Sequence, residues 1–389
     1  MTQPIYLDNA GTTPPSPAVI QAIAQAEQDT WGNASSTHAF GRHAKQALEN
    51  ARIVLADSIN AQPGQIVITS GGSESDNTAI VETALARQNL GKHIITDQIE
   101  HKAVLESMQY LETLGFDVTY LPVDETGHVA VADVANALRD DTILVSIMAG
   151  NNEVGSRQPI HEIGDLLKDH QAWFHTDAVQ AYGLTDIDVA ADHIDLLSTS
   201  AHKINGPKFM GFLYESDNVH FRPLIKGGDQ ERKRRAGTEN VPGVVGFATA
   251  VKALTPAVKA ARQKSFAHFK QIIIAALQVA DVQYAVNGSL APTELQHVLN
   301  LWLPGVPTDA LLVNLDLAGF AVSGGSACTA GSLEPSHVLT AMFGADSPRI
   351  RESVRISFGS VNTTTQIEAF AAALAKIAQR TQAKAVPAR

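Results

Sequence analysis

Short apolar runs recur at regular intervals through the first half of the chain: IVITS (66–70), HIITD (93–97), DVTYL (117–121), TILVSIM (142–148), WFHTD (173–177), IDLLSTS (194–200) and FMGFLYE (209–215). Each is short enough for a strand and apolar on both faces, and stretches with helical periodicity lie between most of them. That alternation predicts a mostly parallel sheet covered by helices on both sides. One such helix is predicted over Lys102 to Leu114, stopped by Gly115. Gly206 and Pro207 separate the last two runs without a long helix, so the final pairing is expected to be antiparallel.

The texture changes after a Gly-rich, basic segment, Lys226 to Gly237. A long amphipathic helix is predicted from Pro256 to Val279, followed by the short pieces YAVN and HVLNLWLP, a helix near Thr308 to Ala318, a Gly/Ser-rich loop at 323–332, the strand SVRISFG (353–359) and a last helix from about Thr363. We expect two domains: a large α/β one over 13–255, and a smaller α+β one formed by 1–12 and 256–389. The first dozen residues could pack against either.

The strand ends carry the chemistry, because ligands of open α/β sheets gather at the carboxyl edge. GGSESDN follows the first run. Its two glycines allow a sharp turn, and Ser73, with Asp76 three residues on, reads as the cap of a helix whose free N–H groups suit an anion. A plain capped helix fits the same residues. His101 follows the second run, Asn151, Asn152 and Glu153 the fourth, Asp177 and Gln180 the fifth, and Ser200, His202 and Lys203 the sixth. Any one of these reads as turn chemistry; together they outline a site. An acid (Asp177) and an amine (Lys203) on successive strand ends, near a phosphate-competent helix start, are what pyridoxal phosphate requires. The carboxylate keeps the pyridine nitrogen protonated and the lysine forms a Schiff base.

Composition narrows the class. A net charge of -11 and a pI near 5.7 make nucleic acid or an anionic membrane a poor main partner. The four-residue basic run Arg232 to Arg235 is read as a solvated loop near the phosphate site. The first residues lack the basic and apolar pattern of a signal peptide, and no run approaches a membrane span, so a cytoplasmic location is expected. The single cysteine, Cys328, excludes an internal disulfide and a cysteine-built zinc or iron–sulfur site, and no metal site is expected. It lies among small and polar residues, VSGGSACTAGSLEPSHVL, as either a reactive thiol able to approach a site or an exposed loop thiol. Arg355, inside a strand, reads as a clamp for a substrate carboxylate or as an internal ion pair.

Taken in order, YLDNAGTTP, GNASSTHAFGR, TSGGSESDN, EHKAV, NNEVG, HTDAVQ, SAHKINGPK, RRAGTEN, GSACTAGSLEPSHVL and VRISFG resemble the pyridoxal phosphate-dependent cysteine desulfurases of the NifS and IscS group, in the class V aminotransferase family. The resemblance implies the fold type I, aspartate aminotransferase-like architecture and a homodimer with active sites at the subunit interface. It implies that Lys203 carries the cofactor, Asp177 faces its ring nitrogen, Gln180 its ring hydroxyl, and His101 stacks on the ring and carries protons. Asn152 would lie beside cofactor and substrate. The phosphate would be held by Gly72, Ser73, Ser200 and His202, with Thr238 reaching in from the partner. Arg355 would bind the substrate carboxylate, and Cys328 would accept sulfur from L-cysteine as a persulfide for a protein acceptor, such as an iron–sulfur scaffold or a tRNA-thiolating enzyme. The chain departs from the group's pattern at Ala34, Ala201 and Phe209, where Pro, Gly and Gly are usual. A pyridoxal phosphate aminotransferase or lyase of the same fold is the nearest rival, and a non-catalytic scaffold protein the rival from another class.

Overall fold

A computed structural model describes residues 4–324 and 335–385. Its large sheet is built from β2 (Ile66–Thr69), β3 (His93–Asp97), β4 (Asp117–Leu121), β5 (Thr142–Ser146), β6 (Trp173–Asp177), β7 (Leu196–Ser198) and β8 (Gly211–Glu215). The seven strands lie in the order β2-β8-β7-β6-β5-β3-β4. Only β8 runs against its neighbours, β7 and β2, as the Gly206-Pro207 connection predicts. All residues of β2, β3, β5, β7 and β8 are buried, because helices cover both faces. The expectation of two-sided burial fails at β4, whose first residues are exposed or half-buried: it is the edge strand opposite β2.

The predicted helices form with small shifts at their ends. Lys102–Thr113 ends before Gly115, whose φ of 83° is the left-handed stop expected of that residue. Pro256–Val279 runs as predicted, capped by the hydroxyl of Thr255 and started on Pro256. No single helix among the described residues is long and apolar enough to cross a membrane.

Two apolar cores dominate. The first sandwiches the large sheet and draws on residues from Val19 to Leu254, with Leu295 added. The second joins Phe266, Phe269, Ile273 and Leu277 of the long helix to the three-stranded antiparallel sheet β9 (Ala285–Asn287), β10 (Val298–Trp302) and β12 (Ser353–Ser357), and to Phe370 and Leu374 of the helix Thr364–Ala385. The amino-terminal segment joins them. Its strand β1 (Ile5–Tyr6) pairs in parallel with β11 (Phe320–Ala321), and Leu7 packs into the second core. Thr13 then crosses to the first core, where its hydroxyl donates to the His202 carbonyl (2.7 Å) and accepts from the Asn205 N–H (2.8 Å).

The basic segment is only in part the solvated loop expected: Arg232 and Lys233 are exposed, whereas Arg234 and Arg235 are paired. Glu231, Arg232 and Lys233 all adopt left-handed backbone, with φ of 49°, 56° and 69°. Each non-glycine residue there costs roughly 1–2 kcal/mol. What offsets this is the buried Glu231 carboxylate, which accepts from both terminal nitrogens of buried Arg52 (2.5 and 2.7 Å) and from the Ile68 N–H (2.9 Å). Arg234 pairs with Glu215 and Arg235 with Glu74, so half of the run is bracing.

Among the group departures, Phe209 stands at φ 59° with its ring 78% exposed. A bulky residue is strained there, which is why glycine is usual. Ala201 is fully buried and lies against Gly206, where an added Cβ would meet the Ala201 Cβ at 2.9 Å.

Two predictions test this frame. Glu231→Gln leaves buried Arg52 with only the partly exposed Glu49 as counter-charge and should cost about 1.5–3 kcal/mol in urea unfolding; a cost under about 1 kcal/mol would show that the pair does not hold the turn. Asp97, fully buried at the end of β3, has its carboxyl pushed up by burial to about 7, against the N–H groups of Ile99 and Glu100. The unfolded chain releases that proton near 3.8. Between the two values only the folded state holds the proton, so stability falls as pH rises, by about 1.4 kcal/mol per unit from this group. Asp97→Asn removes that slope. Unfolding at pH 5, 6 and 7 should show the variant gaining on wild type at each step, and a gap independent of pH contradicts the buried neutral acid.

Candidate active site

The carboxyl ends of β3, β5, β6 and β7 open onto one cavity of about 460 Å³. Ten of the sequence-derived site residues line it: Gly72, Ser73, His101, Asn152, Asp177, Gln180, Ser200, His202, Lys203 and Arg355. Thr238 is exposed and is not among the lining residues of this chain's cavity. Cys328 lies outside the described residues.

Lys203 ends a single 3-10 turn, Ala201–Lys203, placed after β7 by the Ala201 N–H, which donates to the Met210 carbonyl at 2.9 Å. Its Nζ donates to the carbonyls of Ala10 (2.6 Å) and Gly11 (2.8 Å). The same Ala10 carbonyl accepts from Gln180 Nε2 at 3.0 Å, while Gln180 Oε1 lies 2.9 Å from His297 Nε2. Burial pushes His297 down to about 3; neutral, it fixes which way the Gln180 amide faces. His202 is also held neutral, pushed down to about 4 by burial and then by Lys203 and Lys208, and its Nδ1 lies 3.1 Å from the Thr12 hydroxyl.

Asp177 closes β6 with one oxygen accepting from the Val179 N–H at 2.8 Å. Burial raises its pKa, while His101, the Val179 N–H and Lys203 act to lower it. Beside it lies Asp76, which also lines the cavity, 1% exposed, with one oxygen lacking any hydrogen-bond partner among the described residues. Burial and then the Asp177 charge push Asp76 well above the carboxylate range. Asp76 is therefore the neutral member of the pair, and Asp177 the anion facing the cavity. One ligand atom each from Asp76, His101 and Asp177 falls within 4.8 Å of the others.

The helix start after β2 differs from the expected cap. The N-cap is Gly71, at φ 147°, which lets the chain turn out of the strand. Ser73 does not cap the helix: it lies inside Gly72–Asn77, free to face the cavity. The side chain that closes the turn is Glu74, accepting from the Ser70 N–H at 2.8 Å. His101 is the N-cap of Lys102–Thr113 through Nδ1.

Arg355 forms the internal ion pair of one of its two readings, at the wall of the cavity. It is 1% exposed, its Nη2 pairs with Asp8 at 2.7 Å, and its Nη1 donates to the Asn152 carbonyl at 3.2 Å. Asp8, Ala10, Gly11 and Thr12 were not singled out from the sequence, because a turn with no periodicity gives no element to place them on. Their signal was the DNAGT string itself. Glu153 and His337 also line the cavity.

These residues fit pyridoxal phosphate. The cavity offers a lysine amine, an anionic carboxylate beside which a buried polar atom has no partner, an imidazole at its wall, and a glycine turn followed by Ser73 and faced by Ser200 and His202. At Gly72 an added Cβ would come within 2.7 Å of Val179, so the wall itself requires glycine.

Comparison with known proteins agrees. The family model for aminotransferase class V matches residues 5–370. A Bacillus subtilis (strain 168) protein named "Putative cysteine desulfurase IscS 1" is 54% identical over 376 residues, covering 97% of this chain and 99% of its own. The cysteine desulfurase IscS of Methanosarcina thermophila is 44% identical, covering 97% and 92%. A solved NifS-like protein superposes with a TM-score of 0.89 at 33% identity, covering 96% of this chain and 99% of its own, and "SspA in complex with cysteine" with 0.80 at 36%, covering 91% and 98%. With the family model matching nearly the whole chain and the cofactor's requirements met at one sheet edge, the chain belongs to the class V aminotransferases, enzymes that use pyridoxal phosphate.

Proposed function

We propose that this protein is a cysteine desulfurase that converts L-cysteine to L-alanine and transfers the sulfur to Cys328. The observation that carries this reading beyond the family is where the described neighbours of the cysteine segment attach. Ser323 exchanges backbone hydrogen bonds with Arg355 (2.8 and 3.2 Å). On the other side Ser336 donates to Glu153 at 2.5 Å and His337 lies 2.9 Å from the Glu100 carbonyl. Arg355, Glu153 and His337 all line the cavity, so the segment bearing the only cysteine starts and finishes at its rim.

In this reading Lys203 carries the cofactor, Asp177 meets its ring nitrogen, Gln180 its hydroxyl, and His101 its face. Gly72, Ser73, Ser200 and His202 surround its phosphate. Thr238 reaches the phosphate of a second subunit, which fits its exposure. When bound, the cofactor supplies a sink for the electron pair left when a substrate Cα–H bond breaks.

The chain's own residues do the rest. Arg355 and Asn152 hold the substrate carboxylate. Lys203, its amine positioned by Ala10 and Gly11, removes the Cα proton. The Cys328 thiolate attacks the substrate sulfur: an S–S bond forms, the Cβ–S bond breaks, Cβ takes up a proton to become the methyl group, and a proton returns to Cα to complete alanine. His101 moves protons at the substrate. Thiol plus cysteine gives persulfide plus alanine, so no external oxidant or reductant is needed.

A homodimer fits the exposed aromatic pair Trp31 and Phe40, 64% and 57% exposed with ring centroids 4.9 Å apart. A protein acceptor, such as an iron–sulfur scaffold or a tRNA-thiolating enzyme, would take the persulfide sulfur. A reducing, cytoplasmic compartment suits a chain whose one cysteine must remain a thiol. The two cores support a division into 13–255 and 1–12 with 256–389.

Incubation with L-cysteine, followed by intact mass and alanine assay, tests the proposal. Wild type should gain the mass of one sulfur atom and release alanine. Cys328→Ser should gain no sulfur while keeping the cofactor absorbance, and Lys203→Ala should do neither reaction. Sulfur appearing equally on Cys328→Ser would refute the assignment.

A further inference from the structure

Arg355 enters the cavity already occupied. Its guanidinium has five N–H donors in a planar fork, and a carboxylate placed squarely on that fork accepts two of them. Asp8 does not sit that way. One of its oxygens meets Nη2 at 2.7 Å, while the other lies beside Gly11, where an added Cβ would come within 2.9 Å of it. Arg355 Nη1 turns to the Asn152 carbonyl, and Nε, buried, has no hydrogen-bond partner among the described residues. The pair thus joins an Arg355 side chain that is 1% exposed to an Asp8 side chain that is 22% exposed and lines the cavity.

The backbone beneath Asp8 is fixed independently of its carboxylate. The Tyr6 hydroxyl lies within hydrogen-bond distance of the Asp8 and Thr12 carbonyls (2.9 and 3.0 Å). Asp8 also forms a β-bridge with Ser357, two residues beyond Arg355 on β12. Only a side-chain rotation is needed to take the carboxylate off the arginine.

We propose that Asp8 is a resident competitor at the carboxylate site: it holds the Arg355 charge in the substrate-free enzyme and is displaced by the substrate's own carboxylate, so that it sets the affinity and the carboxylate requirement of the cavity. This rests on the reading of Arg355 as the substrate's carboxylate partner. A buried guanidinium without a counter-charge is costly, and a ligand lacking a carboxylate cannot replace the one it displaces. A ligand with one restores the ion pair and can reach the unused donor as well. The competitor therefore weakens the ligands that must displace it, those that bring a carboxylate, and leaves unaffected a ligand that does not displace it.

The sign of one substitution separates this from a purely structural ion pair. The probes are 3-mercaptopropionate, a thiol with a carboxylate and no amine, and 2-mercaptoethanol, a thiol with neither, titrated calorimetrically into the cofactor-loaded enzyme. Asp8→Asn should bind 3-mercaptopropionate at least about tenfold more tightly than wild type, with 2-mercaptoethanol binding unchanged. Asp8→Glu keeps the charge and should stay within about threefold of wild type, and Arg355→Met should lose 3-mercaptopropionate binding. If Asp8→Asn does not fold, Asp8→Ser carries the same expectation. A scaffold role gives the opposite order, weaker binding in the neutral variants with recovery in Asp8→Glu, and that result overturns the proposal. Should Arg355→Met bind as wild type does, the carboxylate reading of Arg355 falls, and the Asp8 inference with it. If Arg355→Met loses binding and the neutral Asp8 variants gain none, the Asp8 inference alone falls.

Discussion

The ammonium of Lys203 between the carbonyls of Ala10 and Gly11 is the contact on which the site depends. The two carbonyls come from a segment whose preceding residues pack into one core, while the lysine stands on a strand end of the other. Sequence separation is almost the length of a domain, so the amine is placed only when both cores are formed and joined. Gly11 is needed for the same reason: its missing side chain is where an Asp8 carboxylate oxygen rests. A single irregular turn therefore positions the reactive amine, the buried arginine and, through the Ala10 carbonyl, the amide of Gln180.

Around that contact, burial decides which groups carry charge. His202 and His297 are held neutral, so neither adds positive charge around the lysine. Asp76, pushed up by burial and by Asp177, takes the proton that two adjacent carboxylates cannot both lose, leaving Asp177 the anion at the cavity. Glu100, fully buried, is likewise pushed up, first by burial. The result is a cavity that brings the Asp177 carboxylate, the Lys203 amine and the Arg355 guanidinium together, with His202 and His297 made neutral mainly by desolvation.

How much of this could be read in advance follows from periodicity. The strands of the large sheet, their order of polar ends, and the Lys203 and Asp177 pairing were legible because short apolar runs place whatever follows them at one edge. Gly71 as the true cap was hidden because Ser73 is the better capping residue type; a Glu74 side chain closing the turn is a tertiary choice. The amino-terminal turn was legible only as a string, since a segment without period or length gives no face to assign. The basic run misled through composition: four adjacent cations read as solvated, whereas Glu215 and Glu74, 19 and 161 residues away, claim Arg234 and Arg235. Asp76 read as part of a cap, and nothing in its local sequence says that it is the buried partner of Asp177.

The left-handed turn at Glu231 to Lys233 bears on the order of assembly. Locally it is a conformation the chain avoids, and it becomes tolerable only after Arg52, from a helix far away in sequence, has reached Glu231. The shape of the loop that follows, bearing Thr238, thus depends on an ion pair between distant parts of the large domain. Any contact made through that loop would therefore report whether those parts have come together.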